Sequence, residues 1–185
     1  MRVGKVMSMV VVGLVALALP YEASAQQERQ VGRKGATQLS FDVSVSATQS
    51  AASSFGTEQS WSGDYTFFIE SGKFMTDHVV LTVGTFVGGG IGEDSVITSG
   101  VNGGLRYYMT PGSTVSPYVS GGAGIFSSHA EGFNSNAGTL LGAFGVDAAV
   151  RDNAMVYFEG QYQRLMFEGG SQNGIRFKVG LRVLF

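Results

Sequence analysis

The sequence predicts an all-β protein, an eight-stranded antiparallel transmembrane up-and-down β-barrel. Eight segments alternate apolar and polar residues with a period of two, as strands with one apolar face do. No run of 18 apolar residues follows residue 25, so the mature chain should cross a membrane with strands and not with a helix. The charged fraction is only 14%, against roughly 25% in soluble domains.

The first 25 residues are predicted to be a signal peptide. Arg2 and Lys5 precede an uncharged stretch over 7–19, and an Ala-Ser-Ala cleavage pattern ends at Ala25. A helical anchor is the alternative, but a helix over 7–19 reaches only about 20 Å, short of the roughly 30 Å hydrocarbon core. The expected division is a signal peptide over 1–25, a polar periplasmic lead-in over 26–35 and an outer-membrane barrel domain over 36–185.

Each predicted strand is recognised by its own alternation. In the first, over 39–47, the apolar residues Leu39, Phe41 and Val43 alternate with serines and Asp42. The other seven follow the same pattern over 61–69, 78–88, 98–109, 115–127, 139–150, 154–166 and 175–185. The even strand number and the strand lengths suit a bacterial barrel with tilted crossings.

Short and long connectors alternate between these strands. Turn-forming residues make three of them tight, at 75–77, 110–113 and 151–153. The other four are expected to be longer, at 48–60, 89–97, 128–138 and 167–173. Short periplasmic turns and longer external loops give this pattern in outer-membrane barrels, so both termini are expected on the periplasmic side.

The apolar face of each strand is expected to point outward into lipid. The alternation alone also fits a soluble barrel of the lipocalin kind, which has an apolar interior. The membrane arrangement is favoured because the apolar faces are almost free of charge. Aromatic residues near strand ends are also typical of interface girdles: Trp61, Tyr107, Tyr118, Tyr162 and Phe185.

The polar faces then place a charge cluster in the lumen. Its expected members are Asp42, Asp64, Glu70, Arg106, Asp147, Glu159, Arg176, Lys178 and Arg182. The three cations of the last strand should pair with Asp42 and Glu159 on the neighbouring strands. Because an eight-stranded barrel is just wide enough to be filled by side chains, a plugged lumen is expected, with a gated ion path as the alternative.

Composition excludes several classes of function. The chain has no cysteine, so disulfides, thiolate metal sites and a cysteine nucleophile are excluded. A net charge of −2 without a basic run gives no reason to expect nucleic acid. No cofactor or metal site is expected.

One cluster deserves a check for catalysis. His129 is expected in the third long loop, beside Ser127, Ser128 and Glu131, with Asp94 in the loop before it. A nucleophile, a base and an acid could meet there, as in barrels that edit lipid A. Loops of this composition contain serines and acids by default, so no enzyme is predicted.

Three stretches, 71–77, 106–118 and 144–164, carry a resemblance to a known family. Each joins a strand to a tight turn of the type Thr-Asp, Thr-Pro or Asp-Asn and then to the next strand. Together they resemble the small outer-membrane barrels of the outer-membrane protein X family and the transmembrane domain of outer-membrane protein A. The resemblance covers the whole mature chain and implies an eight-stranded barrel in the bacterial outer membrane.

The last strand carries a further resemblance. Lys178, Gly180, Val183 and the terminal Phe185 resemble the signal that the barrel-assembly machinery reads. The resemblance implies that this machinery is a partner during biogenesis.

The function expected from the sequence is a structural or adhesion-like surface role. The expected partners are outer-membrane lipid and lipopolysaccharide, and the external ligand is unknown. A small-solute or ion channel and a lipid A-modifying enzyme are the alternatives. A channel predicts conductance, and an enzyme predicts an altered lipid A mass that is lost on His129→Ala.

Overall fold

The computed structural model describes residues 33–49, 61–90, 96–130, 133–168 and 170–185. Within these ranges, no helix has the length and apolar character needed to cross a membrane. The predicted signal peptide and most of the lead-in lie outside the described residues. The eight strands are β1 Thr37–Gln49, β2 Trp61–Phe74, β3 Val79–Gly90, β4 Ile97–Tyr108, β5 Val115–Ala130, β6 Phe133–Arg151, β7 Ala154–Phe167 and β8 Gly170–Leu184.

The strands form one closed barrel. Each strand pairs antiparallel with the next, and β8 returns to pair with β1. Residues that pair side by side can be followed from each strand to the next around the barrel. A path that starts at Ser116 on β5 returns to β5 at Phe126, which lies nearer the other end of the barrel. This offset shows that the strands are tilted against the barrel axis, as the closure of a sheet requires. The predicted fold class is confirmed.

Strand alternation sets which side chains face the lumen. On β1 and β2, Ser40 and Thr66 are buried while Phe41 and Phe67 are exposed on the outer surface. The same division continues around the barrel, with apolar side chains outside and polar side chains inside. The soluble-barrel alternative is therefore wrong, because such a barrel would bury its apolar face.

The end of the barrel where β1 starts and β8 ends is called here the terminal rim, and the opposite end the loop rim. Three tight connectors cross the terminal rim, as predicted. In one of them Ser113 N–H lies 3.4 Å from Thr110 O, and Gly112 has a φ of +83°. Pro111 followed by a glycine with positive φ is the signature of a type II turn.

Two of the four predicted long loops are wrong. β5 and β6 run on to Ala130 and from Phe133, so most of 128–138 is strand, and β8 starts at Gly170 instead of 175. Small and polar residues predominate over 128–138, so no alternation of apolar and polar residues reveals the strands there. The connector predicted over 89–97 is also shorter, because β3 extends to Gly90.

Two kinds of glycine shape the lumen wall. A Cβ on Gly104 or Gly122 would run into the backbone of the adjacent strand, since β4 and β5 lie close together there. A Cβ on Gly145 would instead overlap the ring of Tyr118. The first kind permits close approach of two strands, and the second leaves space for a large inward side chain.

Candidate functional site

The structure places all nine charged residues of the predicted cluster on the inward face of the barrel. Most of them are buried, and the others are partly buried. They come from β1, β2, β4, β6, β7 and β8: Asp42, Asp64, Glu70, Arg106, Asp147, Glu159, Arg176, Lys178 and Arg182. The lumen is therefore the candidate functional site.

Two ion pairs link strands around the middle of the lumen. Arg106 Nη2 lies 2.7 Å from Glu70 Oε1 and joins β4 to β2 across the intervening β3. Lys178 Nζ lies 2.9 Å from Glu159 Oε1 and joins β8 to β7. Removing one partner from such a pair would leave a charge without compensation away from water, which is costly.

A third pair lies deeper, near the terminal rim. Arg182 has no exposed surface, and its guanidinium contacts the carboxylate of Asp147. Arg182 Nη1 also donates to Tyr108 Oη at 2.9 Å, and Nε donates to Ser40 Oγ at 3.0 Å. Tyr108 Oη in turn donates to Asp147 Oδ2 at 2.8 Å. The carboxylate thus has a cation and a hydroxyl as partners, which is what a buried charge requires.

Two other tyrosine hydroxyls complete the network. Tyr118 Oη donates to Glu159 Oε2 at 3.0 Å, and Tyr157 Oη donates to the carboxylate of Asp42. Tyr118 was expected in the outer girdle, and that expectation is wrong because the side chain is buried in the lumen. Its inward position follows from strand alternation, since the neighbouring Val119 is exposed on the outer surface.

Two of the three cations of β8 have partners other than those expected. Lys178 contacts Glu159 on β7, as expected, but Arg182 reaches past β7 to β6. Arg176 packs on rings, with Cζ 5.0 Å from the centre of Phe68 and 5.8 Å from that of Phe86. A long side chain in a narrow barrel can reach beyond its neighbouring strand, and the ring faces attract a cation.

An apolar floor lies below the charges at the terminal rim. It consists of Phe74, Val80, Tyr108 and Tyr118, all fully buried and in mutual contact. Phe74 and Tyr108 stack with ring centres 5.8 Å apart. The floor lies inside the barrel at the end where β1 starts and β8 ends.

One small cavity borders the ion pairs of the lumen. Its volume is about 40 Å³, and Glu70, Arg106 and Lys178 line it together with Asn102 and Ser120. A water molecule needs about 10 to 15 Å³ by the same measure, so this cavity has room for a few waters. A second cavity, of about 440 Å³, opens on β5 and β6 near the loop rim and is lined by Ile125, Phe126, Ser127, Asn136, Ala137 and Gly138.

The outer surface is apolar between two aromatic levels. Tyr107, Phe185 and Met109 lie exposed near the terminal rim, and Tyr65 and Tyr162 lie exposed near the loop rim. Between these levels the described outward residues carry no charge; the charged Lys73 and Arg164 sit at the two ends. An uncharged band bounded by aromatic girdles is typical of a barrel that spans lipid.

Several solved membrane barrels are similar to this chain. Neisserial surface protein A matches with a TM-score of 0.66 and 17% identity, over 82% of this chain and 100% of that one. OprG from Pseudomonas aeruginosa matches with a TM-score of 0.56 and 12% identity, over 83% and 97% of the two chains. Ail, the attachment invasion locus protein of Yersinia pestis, matches with a TM-score of 0.50 and 12% identity, over 82% and 99%.

The fold is that of a small outer-membrane β-barrel. At such low identities the similarity is one of fold. No protein-family model matches the chain, and no curated protein matches its sequence.

The catalytic alternative rests on His129, and the structure places this residue in a different element from the predicted one. The prediction that it lies in a loop is wrong: it is in β5, where it pairs with Ile97 and Asn134. Ser127 lies two residues earlier on the same exterior face and donates its hydroxyl to Asn136 Oδ1 at 2.8 Å. The proposed acids Asp94 and Glu131 lie outside the described residues. Among the residues that the structure describes, no group of His, Asp and Glu could hold a metal ion.

The residues of the predicted assembly signal divide between the two faces. Lys178 and Gly180 face the lumen, while Phe185 is 73% exposed at the terminal rim. Thr37 and Phe185 exchange two backbone hydrogen bonds of 2.8 and 3.1 Å, which fasten the barrel seam at that end. Recognition of this strand by the assembly machinery stays a prediction.

The lumen aromatics are the residues that sequence reasoning missed. In Phe67-Phe68 and Tyr107-Tyr108, consecutive aromatic residues lie on opposite faces, one on the outer surface and one in the lumen. The doubled aromatics were the available signal, because alternation forces one member of each pair inward.

Proposed function

We propose that the chain is a bacterial outer-membrane protein with a structural or surface-interaction role, and that its lumen is closed to solutes. The uncharged outer band supports the membrane location, since only helices and closed barrels satisfy every backbone group in lipid. The tight turns, the start of β1 and the end of β8 lie at the terminal rim, which we therefore assign to the periplasm.

The packing of side chains inside the barrel is the observation that carries the proposal. Ion pairs, tyrosines and the apolar floor lie in the lumen, and the cavity beside the ion pairs, of about 40 Å³, has room for a few water molecules. A barrel of eight strands has room for side chains and no more. The channel alternative needs these groups to move apart, at the cost of separating buried charges.

The surface role is supported by the loop rim. β5 and β6 contain 16 and 19 residues, against 12 in β3 and in β4, and they stay paired with each other as far as Ala130 and Phe133 at this rim. The similar barrels include one named as a surface protein and one named for attachment and invasion, which was also solved with a heparin analogue. Fold analogy does not fix a ligand, so the external partner is left open.

Lipid and the assembly machinery are the proposed partners. The outer band meets membrane lipid, including lipopolysaccharide in the outer leaflet. Residues Lys178, Gly180, Val183 and Phe185 are proposed to be read by the assembly machinery. No enzymatic reaction and no cofactor are proposed.

The membrane location is tested by cell fractionation and gel mobility. The protein is expected in the outer-membrane fraction, with a band that migrates differently before and after boiling, because a closed barrel resists detergent until heated. A protein found in the soluble periplasm, with one mobility, would contradict the proposal.

The closed lumen is tested by conductance in planar lipid bilayers. The purified chain is expected to add no discrete channel steps above the lipid background. Tyr118→Ala is the control: it removes a ring that fills the lumen beside Gly145 and should introduce small steps, proving that inserted barrels are being recorded. Steps of defined size from the unaltered chain would instead establish the channel alternative.

A further inference from the structure

The four residues before β1 fold back onto the barrel. This segment, 33–36, is called here the strap. Gly35 N–H donates to Phe74 O at 2.8 Å, and Phe74 N–H donates to Ala36 O at 2.9 Å. Ala36 N–H also donates to Arg33 O at 2.9 Å, closing a turn in which Gly35 has a φ of +87°. The strap is thus fixed to the end of β2 by backbone bonds.

The strap carries one buried cation. Arg33 is only 9% exposed, and its Cζ lies 5.6 Å from the ring centre of Phe74 and 5.3 Å from that of Tyr108. These are the two stacked rings of the apolar floor. A guanidinium removed from water over two rings gains more from them than an exposed one would.

The cation sits next to the lumen network. Tyr108 contacts Arg33 through its ring and bonds to Asp147 and Arg182 through its hydroxyl. The same tyrosine therefore links the strap to the deepest ion pair. If the strap left, one contact of both floor rings would be lost and the rings would be free to move.

We infer that the strap is a plug for the periplasmic end of the lumen, and that Arg33 is its anchor. This inference deepens the proposed closed lumen and rests on it. The floor rings close the lumen, and the strap holds the rings in place. Release of the strap would open the ion network to water from the periplasm.

A single thiol inside the lumen tests the plug. The chain has no cysteine, so Ser40→Cys introduces one reporter. Ser40 is fully buried, faces the lumen and bonds to Arg182, so it lies behind the floor. In folded barrels in detergent, the reporter should react slowly with a small cationic methanethiosulfonate, measured as a mass shift over time.

Loss of the anchor should expose the reporter. Arg33→Ala is expected to raise the labelling rate by about tenfold or more, since a desolvated cation–π contact with two rings is lost. Lys34→Ala is the matched control, because it removes the adjacent cation, whose side chain is exposed and whose backbone N–H keeps its 3.0 Å bond to Asp77. Labelling in that variant should equal that of the reporter alone.

A second variant loosens the strap without removing a contact. A Cβ on Gly35 would meet no atom within 4 Å, but a φ of +87° is strained for any residue with a side chain. Gly35→Ala should therefore also raise the labelling rate, by about fivefold. This variant decides the question if Arg33→Ala does not fold, which the gel mobility of boiled and unboiled samples reveals.

The outcomes separate the two proposals. Rapid labelling of the reporter in the otherwise unaltered chain would overturn the closed lumen itself. Slow labelling in the reporter alone and in folded Arg33→Ala and Gly35→Ala barrels would overturn the plug and leave the closed lumen standing. Fast labelling in both strap variants, with Lys34→Ala unchanged, is the result expected from the plug.

Discussion

Replacing Arg182 with methionine is expected to destabilise the barrel by about 3 to 5 kcal/mol. The guanidinium has no exposed surface and contacts Asp147, Tyr108 and Ser40. Methionine fills much of the same volume but leaves the Asp147 carboxylate with a tyrosine hydroxyl as its remaining strong partner. The loss is measured by urea unfolding of the barrel in lipid vesicles.

The double variant Arg182→Met with Asp147→Leu is the control. Removing both charges leaves no uncompensated ion, so much of the lost stability should return, as it does when a buried pair is replaced by packed apolar side chains. A double variant as unstable as the single one would show that the volume of Arg182, and not its charge, supports the barrel.

The arrangement of faces could be predicted because a strand shows it locally. Phe41 and Asp42 are neighbours in sequence, and strand geometry alone sends one outward and the other inward. The same rule places all nine predicted charges inside. It needs no knowledge of which strands are partners across the lumen.

The contacts across the lumen could not be predicted in the same way. Arg182 meets Asp147 because the stagger of the closed barrel brings β8 and β6 level, and that stagger depends on every register in the sheet. The tyrosine hydroxyls then compete with cations for the carboxylates, as Tyr157 does at Asp42. Of the three lumen ion pairs described above, a pairing rule between adjacent strands captures the one between Lys178 and Glu159.

Two regions carried no readable pattern. At the loop rim, β5 and β6 extend through Ser128 and Asn134, where the sequence does not alternate apolar and polar residues. At the terminal rim, Arg33 is a single buried side chain in a segment without apolar and polar alternation. The sequence therefore contains no sign that this part of the lead-in has a defined structure. Isolated insertions of this kind become visible only when the rings beneath them are placed.

An arginine at the middle of the outer band should be among the most damaging single substitutions. Val83 is 63% exposed on the outer face of β3. It lies between Val79, which pairs with the girdle residue Tyr107, and Gly89, which pairs with the girdle residue Tyr65. Its side chain therefore faces the middle of the hydrocarbon core.

Val83→Arg is expected to cost about 2 to 4 kcal/mol, because a guanidinium at that depth loses its water and finds no partner in lipid. Val79→Arg is the matched control: the same change on the same strand and face, but at girdle depth, where the expected cost is about 0 to 1 kcal/mol. Urea unfolding of both variants in vesicles of one lipid gives the difference directly. Equal costs at the two depths would mean that this face does not meet lipid, and the membrane assignment of the barrel would fall with it.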